Sequence, residues 1–187
     1  MSTTIYFLRH GKTKVDKDIP VSKWVLSDYG HKQAKAISEK PEFQEFDVII
    51  ASGEEKARQT AQPIADKLGK EVLREPELSE LDRDAGGFMS HDEYEHAVHE
   101  TLVHRDVSVS NWETASHALE RFSKKVEELT ETYKGKKILV VGHGMTMNLY
   151  FAKLLNKLDE VHERLGQNDF CDWGVVEDGK VVKNLGK

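Results

Sequence analysis

The sequence lacks several features that would place a protein outside the cytosol. It holds one cysteine, Cys171, so no disulfide can form within the chain and nothing favours an oxidising compartment. No apolar run approaches the ~18 residues that a membrane span needs. The apolar run at residues 5–8 is too short for the core of a signal peptide. We therefore expect a soluble cytosolic (cytoplasmic) protein that does not engage a membrane.

An excess of positive charge is also missing. The formal net charge is −6 at pH 7, which argues against nucleic-acid binding. Residues 1–38 carry seven Lys/Arg and three Asp/Glu (net +4), residues 39–132 eleven against twenty-three (net −12), and residues 133–187 nine against seven (net +2). Two interpretations follow: the middle is a solvated acidic surface, or the two ends of the chain supply a cationic pocket for an anion.

No internal repeat, low-complexity tract or linker interrupts the chain, so its 187 residues suit a single domain, 1–187. Hydrophobic residues make up 38%, enough for a buried core. Three apolar runs are each followed by a helical segment, which predicts strands at 5–8, 47–50 and 138–141 and helices at 30–40, 54–68 and 145–158. We expect Pro63 to kink or divide the second helix.

The remaining segments complete an α/β pattern. They predict a short strand at 72–73, helices at 92–103 and 113–133, and a hairpin of strands 173–177 and 180–183 around Asp178-Gly179. Repeated strand–helix units are typical of parallel sheets. The predicted fold is a three-layer sandwich, with a mostly parallel central sheet and helices on both faces.

Candidate functional residues follow three of the predicted strands. Ligands of such sheets bind at the carboxyl ends of the strands. Arg9 and His10 follow the first strand, Ser52 the second and His143 the third, so the two histidines should face one crevice. Guanidinium groups bind phosphate oxygens through paired hydrogen bonds, and a neutral imidazole can attack phosphorus to form a phosphohistidine. Positive charge near His10 lowers its pKa and favours the neutral, nucleophilic ring.

The chain resembles the histidine phosphatase superfamily, the phosphoglycerate-mutase-like proteins, over nearly its whole length. Six short motifs in matching order carry the resemblance: Arg9-His10-Gly11 with Thr13; Leu26-Ser27 with Gly30, Gln33 and Ala34; Ser52 to Ala61; Leu78-Ser79-Glu80; Glu113-Thr114 with Arg121; and Val140 to Gly144. Each motif alone is weak, but their joint order and spacing are specific.

The resemblance implies a role for each site residue. His10 would be the nucleophile. Arg9, a second cation and His143 would hold the phosphoryl oxygens. Thr13 either contacts the phosphate as well or only caps a turn. Glu80 would protonate the leaving alcohol and then activate water. The resemblance implies neither a metal nor an organic cofactor.

The sequence departs from the family at the second cation. Counted from Ser52, the expected arginine position holds Lys56, which keeps the charge but loses the planar two-pronged contact. We favour Lys56 as the phosphate ligand, and Arg58 takes the role if this register is wrong. Arg83, in an altered stretch after Glu80, is a third candidate for the missing guanidinium.

We expect a metal-independent phosphatase that hydrolyses a small phosphate ester, with activity highest at mildly acidic to neutral pH. The alternatives are a catalytically weak relative that binds phosphate esters and a phosphoglycerate mutase. The modest stretch between Glu80 and His143 disfavours the mutase, since the family's mutases are longer. Residues 81–112 should set specificity, and their acidity disfavours a polyanionic substrate if it faces the pocket. The sequence leaves the exact ester and the oligomeric state open.

Overall fold

The computed structural model describes residues 2–186, and its strands form one mixed sheet in the order β3-β2-β4-β1-β5-β6. The first four of these run parallel, whereas β5 lies antiparallel to β1 and to β6. The strands of this sheet are β1 (Thr4–Arg9), β2 (Val48–Ser52), β3 (Val72–Glu75), β4 (Lys137–Gly142), β5 (Trp173–Glu177) and β6 (Lys180–Lys183). The prediction of a mostly parallel sheet is confirmed.

Helices connect the strands and cover both faces of the sheet. Their bounds are α1 (Asp28–Ser38), α2 (Glu55–Leu68), α3 (His91–Val103), α4 (Ala115–Thr132), α5 (Gly144–Leu154) and α6 (Val161–Gly166). The predicted helix at 145–158 ends earlier, since Asn156 adopts a left-handed backbone conformation with φ 57°. Among residues 2–186, no helix combines the length and apolar character needed to cross a membrane.

The three-layer arrangement follows from the alternation of side chains along the strands. Phe7 of β1 and Val140 of β4 face one side, where they pack with Phe122 of α4 and Phe151 of α5. Their neighbours point the other way, so that Leu8, Ile49 and Val141 pack against Ala57, Ala61 and Ile64 of α2. A third cluster joins α3 and α6 to α4 and α5. Burial on both faces explains why these strands read as continuous apolar runs.

The expected division of α2 at Pro63 is wrong. Proline lacks the amide hydrogen that would bond one turn back, at a typical cost of about 3 kcal/mol, yet α2 runs unbroken from Glu55 to Leu68. Ala61 and Ile64, on either side of Pro63, are fully buried against the sheet. Tertiary packing therefore holds the helix together across the missing hydrogen bond.

The loop after β1 crosses the start of α1 at very short range. A Cβ atom on Gly11 would lie 2.7 Å from the carbonyl oxygen of Gly30, and one on Gly30 would lie 2.1 Å from that of Lys12. Only glycine fits at both positions. Ser27 caps α1 beside this crossing by accepting a hydrogen bond from the amide of Gly30. The crossing fixes the path of the chain directly after His10.

Replacing Phe122 by alanine should destabilise the protein by about 3–5 kcal/mol, because the ring is fully buried against Phe7 and Tyr150. Urea denaturation measures the change in unfolding free energy. Phe88→Ala is the matched control, since that ring is 57% exposed, and it should change the free energy by less than about 0.5 kcal/mol. Similar losses in both variants would contradict this account of the core.

Candidate active site

His10 lies at the carboxyl end of β1 with its ring fixed by the next residue. Its Nδ1 atom lies 2.7 Å from the carbonyl oxygen of Gly11. A carbonyl only accepts hydrogen bonds, so Nδ1 carries the proton and donates it. In the neutral ring the lone pair therefore sits on Nε2. The amide of Gly11 in turn donates to Thr60 Oγ1 at 3.0 Å, which anchors the loop to α2.

The surroundings of His10 keep its ring neutral. Burial is the largest cause that lowers its pKa well below the usual value, and the neighbouring His143, Lys56 and Arg9 act in the same direction. The Gly11 carbonyl opposes them without reversing the effect. The expectation that nearby positive charge would favour a neutral His10 agrees with this arrangement, although burial contributes more than charge.

His143 lies opposite His10, at the carboxyl end of β4 and the start of α5, and its side chain is fully buried. The two ring centroids are 5.1 Å apart. His143 Nε2 lies 2.6 Å from Ser52 Oγ and 3.5 Å from Glu54 Oε1. Burial lowers the pKa of His143 to about 3, against an opposing effect of Glu80. Among residues 2–186, His143 Nδ1 is buried without a hydrogen-bond partner.

Arg9 reaches the same region from the last position of β1. Its Nη1 donates to the backbone and side-chain oxygens of Asn168, the latter at 3.2 Å, and its guanidinium stacks on Phe170 at 4.7 Å. A Cβ atom on Gly144 would lie 3.2 Å from Arg9 Cζ, so the guanidinium lies against the start of α5. Arg9 Nε is buried and has no acceptor among the described residues. Such an N–H group is a ready donor to an anion.

Lys56, the favoured second cation, is buried at the start of α2. Its Nζ lies 2.6 Å from Glu54 Oε2 and donates to the carbonyl oxygen of Val21 at 2.8 Å. Since His143 also lies close to Glu54, the acid links the lysine and the histidine. Lys56 thus lies near His10 and His143, and its charge contributes to the lowered pKa of both.

Arg58 and Thr13, two further sequence candidates, lie apart from this group. The guanidinium of Arg58 bonds Glu55 and Gln62 on a half-exposed face of α2, so the structure does not bring it into the group around His10. Thr13 forms a backbone bridge with Leu26, and its side chain has no hydrogen bond within the described chain.

Glu80 lies at the N-terminus of α5. Its Oε1 accepts from the amides of Leu81 and Thr146, both at 3.0 Å, and its Oε2 accepts from that of Met145 at 2.9 Å. Amides at a helix N-terminus stabilise a negative charge. The Glu80 amide itself donates to Glu54 Oε1 at 2.8 Å, so the two acids adjoin one another.

Arg121 of α4 fixes the segment that carries Glu80. It donates to the carbonyl oxygens of Glu77, Ser79 and Glu80 at 2.8–2.9 Å and pairs with Glu113. Burial works against both charges, yet their mutual hydrogen bonds raise the pKa of Arg121 and lower that of Glu113. The Glu113–Arg121 pair thus stabilises the segment that carries Glu80 and acts on the site indirectly.

Sequence reasoning missed Glu54 and Asn168. Glu54 is only 8% exposed and touches Lys56, His143 and Glu80. The available signal was an acid between Ser52 and Lys56 within a matched motif. Asn168 follows no recognisable pattern, and only folding brings it to Arg9, 159 residues away.

The amino-acid sequence matches known proteins. The family model for the histidine phosphatase superfamily (branch 1) matches residues 5–180. A protein of Enterobacter sp. (strain 638) named as a probable phosphoglycerate mutase, GpmB, is 26% identical over 159 residues, which cover 81% of this chain and 74% of that protein. An uncharacterised phosphatase of Bacillus subtilis (strain 168), PhoE, is 24% identical over 161 residues, with coverage of 81% and 77%.

Solved structures share the fold at lower identity. A mycobacterial glucosyl-3-phosphoglycerate phosphatase in complex with VO3 superposes with a TM-score of 0.81 at 18% identity, over 98% of this chain and 99% of that one. The phosphoserine phosphatase of Entamoeba histolytica in complex with 3-phosphoglyceric acid gives 0.79 at 20% identity, over 99% and 97%.

Acidification should destabilise the fold through its buried neutral histidines. Below pH ~6.5 the unfolded chain binds protons at His143, whereas the folded chain does not until pH nears 3. The free energy of unfolding therefore decreases as the pH is lowered, by about 1.4 kcal/mol per pH unit for this residue between pH 6 and 4. Urea denaturation at several pH values should show that the free energy of unfolding depends less steeply on pH in His143→Gln than in wild type. The exposed His31→Gln is the control, and equal slopes in all three proteins would contradict the prediction.

Glu54→Gln should strengthen binding of inorganic phosphate by roughly tenfold, since it removes a negative charge beside Lys56 and His143. Glutamine keeps an acceptor for the Glu80 amide. Calorimetric titration with phosphate measures the affinity. Glu55→Gln is the matched control, because Glu55 pairs with Arg58 and Arg74 on the surface of α2. Weaker binding by Glu54→Gln would show that Glu54 mainly positions Lys56.

Proposed function

The chain belongs to the histidine phosphatase superfamily, and we propose that it hydrolyses a small phosphate ester through a phosphohistidine on His10. The observation that carries this proposal is the orientation of His10. Its Nδ1 is held by the Gly11 carbonyl, so the neutral ring has its lone pair on Nε2, beside buried cations. The similarity in fold to two phosphatases supports a phosphatase activity.

The first chemical step transfers the phosphoryl group to the enzyme. His10 Nε2 attacks phosphorus, a P–N bond forms, and the bond from phosphorus to the ester oxygen breaks. Arg9 and Lys56 neutralise the charge on the phosphoryl oxygens, and the uncharged ring of His143 donates a hydrogen bond to one of these oxygens. Arg9 Nε and His143 Nδ1 suit this task because both are buried polar atoms without a protein partner.

Glu80 is the proposed acid and base. The leaving alkoxide takes a proton from the Glu80 carboxyl group, and in the second step the carboxylate takes one from the attacking water. Water then forms the new P–O bond as the P–N bond breaks, which releases phosphate and restores His10. Glu80 Oε2 fits this role better than Oε1, since it accepts one amide rather than two and keeps a free lone pair.

A phosphate-ester-binding protein with little turnover is the second candidate. Two observations favour it. Three amides already engage the Glu80 carboxylate, and Glu54 compensates the charge of Lys56 before any anion arrives. A mutase reaction, as named for the Enterobacter relative, would use the same first step but return the phosphoryl group to an alcohol.

Phosphate release from an aryl phosphate, measured with EDTA present, tests the proposal. Wild type should turn over and His10→Ala should lose at least about a thousandfold in rate, because the covalent step is removed. The exposed His31→Ala is the control and should retain the wild-type rate. A phosphorylated protein trapped by rapid quenching in alkaline detergent, with a label that survives in alkali and is lost in acid, would identify the phosphohistidine.

Other results would point elsewhere. Turnover that survives in His10→Ala would exclude His10 as the nucleophile. Ester binding without release in wild type would favour the binding protein. Conversion of 3-phosphoglycerate to 2-phosphoglycerate after priming with the bisphosphate would establish the mutase. Activity that disappears with EDTA and returns with a divalent ion would contradict metal independence.

A further inference from the structure

The loop that joins α6 to β5 lies against the end of β1. The amide of Arg9 donates to the carbonyl oxygen of Asp172 at 2.9 Å, and the amide of Cys171 donates to that of Arg9 at 3.2 Å. Within the loop, Asp172 Oδ2 accepts from the amide of Asp169 at 2.7 Å. The side chain of Asn168 adds one long contact to the loop, 3.5 Å from its Nδ2 to Asp172 Oδ2. The attachment of the loop to β1 therefore depends mainly on backbone hydrogen bonds.

The side chain of Asn168 contacts the guanidinium of Arg9 instead. Arg9 Nη1 donates to the backbone carbonyl oxygen of Asn168 and to its Oδ1, the latter at 3.2 Å. Phe170, from the same loop, lies 4.7 Å from the guanidinium and covers one of its faces. An arginine side chain can otherwise rotate about several bonds. Acceptors at one nitrogen and a ring on one face together fix both the position and the tilt of the guanidinium plane.

Asn148 of α5 orients the amide group of Asn168. Asn148 is fully buried, and its Nδ2 donates to the carbonyl oxygen of Gly144 at 2.8 Å and to Asn168 Oδ1 at 3.3 Å. With its amide turned over, Asn148 would place its own oxygen against these two acceptors. The observed orientation leaves Asn148 Oδ1 buried without a partner among residues 2–186, which costs the fold a hydrogen bond. Asn168 Oδ1 thus accepts from both Asn148 and Arg9, and its direction is fixed.

With Nη1 engaged, Arg9 Nε and Nη2 donate to no atom of the described chain. These two nitrogens form one edge of the guanidinium, whose parallel N–H groups suit two oxygens of one anion. Arg121 shows this use, because its Nε and Nη2 hold the two oxygens of Glu113, both at 2.8 Å, while its Nη1 donates to backbone carbonyls. Arg9 Nε would lie 3.3 Å from a Cβ atom on Gly144, directly after His143. The Nε–Nη2 edge of Arg9 therefore adjoins the histidines.

We propose that Asn168 is a positioning residue, which accepts from Arg9 Nη1 and thereby directs the Nε–Nη2 edge at the phosphoryl group. Phe170 and Asn148 support this arrangement from either side of the contact. The inference rests on the proposed function, in which Arg9 neutralises the phosphoryl oxygens, and adds how Arg9 is oriented for that task. Lys56 cannot replace a misdirected Arg9, because an ammonium group is a point charge without a planar pair of donors.

A double-mutant cycle with Arg9 tests the positioning role. Asn168→Ala should weaken the binding of inorganic phosphate, measured by calorimetry, and lower kcat/KM for an aryl phosphate, each by roughly tenfold. Arg9→Lys keeps the charge but removes the two-nitrogen edge. In the Arg9→Lys background, Asn168→Ala should therefore cost less than about twofold, because the two residues act as one unit. A residue that only stabilised the fold would give the same loss in both backgrounds.

Asn184→Ala is the matched control. Asn184 is an exposed asparagine whose Oδ1 also accepts from an arginine, Arg164 of α6. Its replacement should leave the phosphate affinity and kcat/KM at their wild-type values. Asn148→Leu, which is nearly isosteric, repeats the cycle if circular dichroism shows that Asn168→Ala fails to fold. Since Asn148 acts on Arg9 through Asn168, its replacement should also cost little in the Arg9→Lys background.

The pattern of losses separates the positioning role from the proposed hydrolysis. Equal losses in the two backgrounds, or no loss on Asn168→Ala, would overturn the positioning role while hydrolysis by wild type still stands. If wild type binds phosphate but releases none from the aryl ester, the proposed hydrolysis fails, and the calorimetric cycle alone decides whether Asn168 acts through Arg9. A wild-type protein that neither binds phosphate nor releases it would contradict both.

Discussion

Two imidazoles 5.1 Å apart must both stay neutral in a buried site that also holds Arg9 and Lys56. Burial is the largest cause of the lowered pKa in each case, because a dry environment disfavours the charged ring. The parallel order of β2, β4 and β1 creates this environment. It places Ser52, His143 and His10 at one edge of the sheet while helices cover both faces.

Glu54 follows from the same constraint. A buried lysine is costly unless a partner compensates its charge, and Glu54 Oε2 lies 2.6 Å from Lys56 Nζ. Neutral histidines cannot supply this compensation. The acid also accepts the Glu80 amide, so one side chain joins the lysine, the second histidine and the proposed acid. A phosphate bound as proposed would therefore share Lys56 with a resident carboxylate, whereas Arg9 has a buried N–H without an acceptor among the described residues.

Most of the fold and the centre of the site could be predicted from sequence because they depend on local patterns. Strands buried on both faces read as apolar runs, and His10 and His143 directly follow two of them. Lys56 could be placed by its spacing from Ser52. The unbroken helix at Pro63 could not be predicted, since packing on the sheet outweighs the cost of the missing hydrogen bond. Nor could the contact of Arg9 with Asn168 or the stacking of Arg83, which join distant segments.

The lysine at position 56 also changes where the site can discriminate between substrates. An ammonium group is a point charge, and a guanidinium is a planar fork with directional donors. With Lys56 shared between Glu54 and the Val21 carbonyl, the directed hydrogen bonds of the proposed phosphate site would come from Arg9. With Lys56 in place of the family's arginine, charge on the phosphoryl group would be neutralised by two cations, but directed hydrogen bonds would come from one of them.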